Sequence, residues 1–141
     1  LSDAPGSPNR DAWWSNKSDV RLERFDTHNW TAALPDSAGM KPWDVLLIRG
    51  CLTVTSGHRY RLTFTASAAA TTTLNVRVQH NVDPYEASLM EPVTLDGQPR
   101  RFSYDFTGKL TSSTSELTYQ VGGNPETRIE VRDVVLTDLG V

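Results

Sequence analysis

The chain has 141 residues, a net charge of −3, and 22% charged against 38% hydrophobic residues. That length suits one domain with a full core. The near-balanced charge excludes the basic stripe of a nucleic-acid binder, and no apolar run reaches the length of a membrane span.

Residues 1–12 are rich in Ser, Pro, Asp and Gly and are expected to form a linker or loose N-terminal arm of a single module spanning 1–141. No leader-like segment is visible, and a start at Leu1 is compatible with removal of a leader or an upstream domain. The lone cysteine, Cys51, excludes an intrachain disulfide and says nothing of compartment. Trp13 and Trp14 follow in a polar segment. Neighbours in an extended chain point to opposite sides, so one of the two is expected to be exposed and to have a partner. Asn16-Lys17-Ser18 and Asn29-Trp30-Thr31 fit the glycosylation triplet, a pattern common by chance.

Strands are expected over 19–25, 29–33, 43–54, 58–67, 72–80, 85–93, 100–107, 115–121 and 128–137, nearly all rich in Val, Thr, Leu, Tyr or Phe. Turn signals at Pro35-Asp36, Ser56-Gly57, Asp83-Pro84, Asp96-Gly97 and Gly122-Gly123-Asn124-Pro125 separate most of them. No long segment has a helical period. Many short strands without helices predict an all-β fold, an antiparallel β-sandwich or jelly roll. Its core is expected to include Tyr60, Leu62, Phe64, Val76, Val78, Phe102, Tyr104, Phe106, Tyr119, Val131 and Leu136.

Alternation assigns the faces. In 58–67, Tyr60, Leu62, Phe64 and Ala66 share one side. In 74–79, Leu74, Val76 and Val78 oppose Asn75, Arg77 and Gln79. In 115–121, Leu117, Tyr119 and Val121 oppose Glu116, Thr118 and Gln120. The run Val45 to Ile48 is apolar throughout, which predicts partial cover on both faces. Amides are uncommon in strand centres, so Asn75, Gln79 and Gln120 call for an explanation beyond solvation. Planar groups with several donors and acceptors suit sugar hydroxyls, and flat aromatics suit sugar C–H faces.

The strings PWDVLLIRGCLTVTSGHRYRLTFTASA, LNVRVQHNVDPYEASL, RRFSYDFTG, LTYQVGG and RIEVRDVVL, in this order from Trp43 to Leu136, resemble the family 4/9 type carbohydrate-binding modules. The likeness is to family 4 modules of bacterial cellulases, laminarinases and xylanases, and residues 1–40 match poorly. The resemblance implies a jelly roll with a concave sheet forming a cleft for one glycan chain. It places an amide position on Arg49, a cleft arginine on Asn75 with Arg77 one pleat along, and a glutamine pair on Glu116 and Gln120. A cleft-edge tyrosine falls on Tyr85, and Trp13 or Trp14 is nearest to the expected N-terminal aromatic. With Gln79 and Thr118 from the alternation, these form the candidate site. A structural calcium found in many members needs an acidic residue where this chain has Arg132, in the string Arg132-Asp133-Val134, so neither calcium nor another cofactor is expected. Asp133 could serve only by a one-residue shift.

Other chemistry is poorly supported. His28, His58 and His80 show no metal-ligand spacing and read as surface residues, and Cys51 reads as a small buried residue. There is no nucleophile elbow or phosphate loop. Glu116 could face Asp83 or Glu86 as a glycosidase pair, but a small domain with an amide-rich face favours binding. The expected function is non-catalytic binding of a soluble β-glucan, β-1,4 or β-1,3 linked, by a secreted module covalently attached to a polysaccharide hydrolase. The alternative is a structural or protein-interaction sandwich with an inactive cleft. Trp30 and Trp43 are expected in the core or at the rim.

Overall fold

A computed structural model describes residues 13–24, 26, 28–82 and 85–141, without the side chains of Arg24 and Cys51. The expected arm at 1–12, the turn at Asp83-Pro84 and the environment of the Cys51 thiol lie outside the described residues. Among the described residues ten strands follow in chain order: β1 (Trp14–Ser15), β2 (Arg21–Arg24), β3 (Trp30–Leu34), β4 (Leu46–Val54), β5 (Arg59–Ala68), β6 (Thr72–His80), β7 (Ala87–Leu95), β8 (Arg100–Thr107), β9 (Ser112–Gln120) and β10 (Thr127–Gly140). They form two five-stranded antiparallel sheets, ordered β1-β4-β9-β6-β7 and β2-β3-β10-β5-β8. The all-β sandwich is therefore the fold. β1, hidden in the polar segment with the two tryptophans, has no alternation to reveal it. The residues Pro42–Asp44 form a 3-10 turn instead of the start of β4.

The apolar faces meet between the sheets. Tyr60, Leu62, Phe64, Val76, Val78, Phe106, Tyr119 and Val131 are buried there, and Phe102, Tyr104 and Leu136 pack against them half-buried. Phe64 stacks on Phe102 of the neighbouring strand at 5.1 Å and meets Tyr119 of the opposite sheet edge-on at 5.4 Å. Trp13, just before β1, lies against Trp30 at 5.3 Å and Tyr119 at 5.7 Å. Apolar burial and these aromatic contacts tie the two layers together.

Bulges re-aim two strands. Between Arg49 and Leu52, β4 carries one residue more than β9, so the inward positions change from Leu47 to Leu52 and Val54. Between Arg132 and Val135, β10 bulges against β5 and the inward set changes from Ile129 and Val131 to Val134. Asp133 at this bulge has φ 54°. Its N–H donates to Asn29 Oδ1 at 3.0 Å, and Val134 N–H donates to the His28 carbonyl at 3.1 Å. His28 Nδ1 also contacts the Val134 carbonyl at 2.6 Å, so this histidine is a half-buried strut rather than a free surface residue.

Candidate functional site

Register across the first sheet assembles the site. Directly paired residues share a face. Trp14, Ile48, Thr118, Arg77 and Met90 form one row across all five strands. Leu46, Gln120, Asn75 and Pro92 form the next row, and Glu116, Gln79 and Ala87 lie on the other side. This face points away from the core. It holds a cleft of ≈ 700 Å³ lined by Trp14, Asn16, Trp43, Leu46, Ile48, Arg77, Gln79, Asn81, Tyr85, Glu116 and Gln120.

Six of the nine expected residues line it: Trp14, Arg77, Gln79, Tyr85, Glu116 and Gln120. Thr118 belongs to the same face but is fully buried in the floor between Ile48 and Arg77. Asn75 shares that face beside Gln120, half-buried, outside the lining. Arg49 is a correction. It pairs with Leu117 on the side of Leu47, is 2% exposed, and donates from Nη1 to the Gly50 carbonyl at 3.3 Å. The apolar run before it carries no alternation, so the sequence could not place Arg49 on a face. Of the tryptophan pair, Trp13 enters the core and Trp14 the cleft, as opposite pleats require.

Two lining residues, Trp43 and Asn16, have weak sequence signals. Trp43 is 57% exposed in the 3-10 turn. Asn16 accepts from Leu46 N–H at 2.9 Å and donates to the Asp44 carbonyl at 3.2 Å, tying that turn to the end of β1. Gly122 lets the turn sit against the end of β9. A Cβ there would lie 2.1 Å from the Lys41 carbonyl oxygen. The amide groups of Asn16 and Asn29 are thus both engaged in internal hydrogen bonds.

At the opposite edge Tyr85 is 47% exposed with φ 56°. A left-handed tyrosine is uncommon and is held by its surroundings. Its N–H donates to the Val82 carbonyl at 2.7 Å, and its own carbonyl accepts from Arg77 Nη2 at 3.2 Å. Gln79 Nε2 donates to Glu116 Oε1 at 3.1 Å. Burial holds the Glu116 carboxyl above its ordinary range, a shift that the Gln79 donor partly offsets. Trp14 Nε1, Arg77 Nε, Gln79 Oε1 and Thr118 Oγ1 are buried without a hydrogen-bond partner among the described residues. Buried polar atoms are ordinarily paired; these four lie on the cleft face, while Trp30 Nε1 and Tyr119 Oη are likewise without a partner between the sheets. Among the described lining residues Glu116 is the only carboxylate: Glu86 does not line the cleft, and Asp83 lies outside the described residues.

The calcium position does not fit the ion. Arg132 donates from Nε to Glu130 Oε1 at 2.9 Å, placing a guanidinium where a carboxylate ligand is required. Among the described residues no group of three or more His, Cys, Asp or Glu side chains could hold a metal. Thermal scans in excess calcium and in excess chelator are expected to coincide. A clear rise in Tm with calcium would reveal a site elsewhere in the chain.

A β-sandwich with an aromatic-edged polar cleft on one sheet is the architecture of a glycan-binding domain. The family model described as a carbohydrate binding domain, of the 4/9 type, matches residues 7–127, and the chain belongs to that family. The match begins well before Trp43 and so takes in the tryptophan pair. Its members bind carbohydrate and are non-catalytic. Among solved structures, one reported as "CBM4 structure and function" is 22% identical with a TM-score of 0.78, covering 89% of this chain and 94% of the other. The N-terminal cellulose-binding domain of Cellulomonas fimi β-1,4-glucanase C is 22% identical with a TM-score of 0.75, over 97% and 91% of the two chains. A family 11 module from Clostridium thermocellum, in complex with a β-1,3-1,4-mixed-linked tetrasaccharide, is 9% identical with a TM-score of 0.59, over 100% and 94%. No curated protein matches the sequence. No described helix is long and apolar enough to cross a membrane.

Proposed function

We propose that the cleft binds one chain of a soluble β-glucan, β-1,4 or β-1,3 linked. In this reading the 141 residues are one extracellular module that holds an attached polysaccharide hydrolase to its substrate. The observation that carries the reading is the set of buried, unpartnered polar atoms of Trp14, Arg77, Gln79 and Thr118 on the cleft face. Sugar hydroxyls both donate and accept, so one ligand class can satisfy all four. Among the described cleft aromatics, Trp14 alone is carried by a strand, while Trp43 and Tyr85 sit outside the strands. That arrangement favours a single chain held across the sheet over a flat crystalline surface. The cellulose-binding and mixed-linkage-glucan-bound neighbours support the same ligand class.

Affinity electrophoresis in gels containing β-glucan, xylan or mannan tests the reading, followed by isothermal titration with cello- and laminari-oligosaccharides. Retardation by β-glucan is expected, with Kd roughly micromolar to millimolar because hydroxyl contacts replace contacts with water. Arg77→Ala and Gln120→Ala should each weaken binding by about 1–3 kcal/mol and keep the fold. No retardation by any glycan would favour a spacer role. If Gln120→Ala and Tyr85→Ala both bind like the parent, the binding face is elsewhere.

A further inference from the structure

Gln79 is 7% exposed and offers two chemically different ends. Its Nε2 faces Glu116 Oε1 at 3.1 Å, while its Oε1 is buried with no partner among the described residues. An ionised carboxylate has no proton to donate, so only the NH2 end of the amide can face it. The carbonyl end is thereby turned away from Glu116 and left without a protein partner beside the cleft lining. We propose that Glu116 is a positioning residue that locks the Gln79 amide with its carbonyl oxygen presented to the ligand, so that the cleft selects a sugar hydroxyl acting as donor at this subsite. The proposal rests on the glycan-binding reading of the cleft.

The locked amide lies one pleat along β6 from Arg77, whose side chain supplies donors only. One part of the cleft therefore offers acceptors and its neighbour offers donors, matching adjacent hydroxyls of a pyranose. Protonation of Glu116 removes the lock. A carboxylic acid can donate to the Gln79 carbonyl, which lets the amide turn and present NH2 instead.

Among the described residues the ionisable groups near this pair are few. On the cleft face β6 brings Arg77, and the segment before β7 brings Tyr85, with Glu86 close by in sequence. His80 follows Gln79 on β6 and pairs with Ser115, and Arg49 of β4 lies on the opposite, core-side face. Burial keeps the Glu116 carboxyl above its ordinary range. A raised carboxyl contributes folding stability below its unfolded pKa and loses it as pH rises through the folded value. The unliganded fold therefore gains from protonation of Glu116, whereas the locked amide needs the ionised form.

The test is a double-mutant cycle on the full chain, using Glu116→Gln and Gln79→Met with cellohexaose and laminarihexaose as probes. Glu116→Gln should weaken binding about three- to tenfold near neutral pH and raise Tm, because a half-buried charge is removed. In the Gln79→Met background the same change should have no further effect. The parent's affinity should fall as pH drops through the Glu116 titration, and that dependence should vanish in Glu116→Gln. The Gln79 side-chain NH2 resonances should titrate with the Glu116 carboxyl in the parent's NMR spectrum, a readout that needs no variant. Additive losses, pH dependence that survives Glu116→Gln, or Gln79 resonances blind to Glu116 would overturn the proposal and leave glycan binding standing. Failure of the parent to bind either probe at any pH would overturn the cleft reading itself, and this proposal with it.

Discussion

Phe64→Ala is expected to destabilise the fold by about 3–5 kcal/mol, the range for removing a fully buried phenylalanine. The ring is 0% exposed and touches Phe102, Tyr104 and Tyr119, so its loss opens a cavity between the sheets that rigid strands cannot close. For a domain of this size the midpoint should fall by about 10–20 °C in calorimetry. Phe64→Leu refills most of the volume and should recover much of the loss. A fall of only a few degrees for the alanine variant would mean that the two layers are held together elsewhere.

The second large effect separates two neighbours. Trp13→Ala should cost about 3–5 kcal/mol, because its fully buried ring packs against both Trp30 and Tyr119, which also touch each other. β1 has only the two residues Trp14–Ser15 and rests on this anchor, so glycan binding should weaken together with stability. Trp14→Ala should behave differently. Its ring lines the cleft, and its removal should cost about 1–2 kcal/mol of binding, the scale of one partly covered side chain, with little change in Tm. Chemical unfolding and titration calorimetry on both variants give the comparison. Equal stability losses at the two positions would show that Trp14 serves packing and not the ligand.

The polar face of β6 and β9 was legible because it depends on local geometry alone. Side chains in a strand alternate, so Val76 and Val78 against Arg77 and Gln79 state which side is inward without knowledge of neighbouring strands. The same rule places Leu117 and Tyr119 opposite Glu116 and Gln120. It also splits Trp13 from Trp14, although it cannot say which of them meets the ligand.

Strand order, register and bulges belong to the tertiary structure. Arg49 follows an apolar run with no period, and the extra residue in β4 changes the inward parity just beyond it. Its core-side burial is therefore invisible to alternation. Trp43 and Asn16 reach the cleft because the 3-10 turn is tied to the end of β1 and rests on Gly122. The contact between Gln79 and Glu116 spans 37 residues of sequence and exists only because β6 and β9 lie side by side. Period two determined by itself that this chain forms a sandwich with one polar face. Which polar groups meet there, and which of their atoms turn toward a ligand, was decided only by the pairing of strands, since each residue's pattern records its own face and not its neighbour.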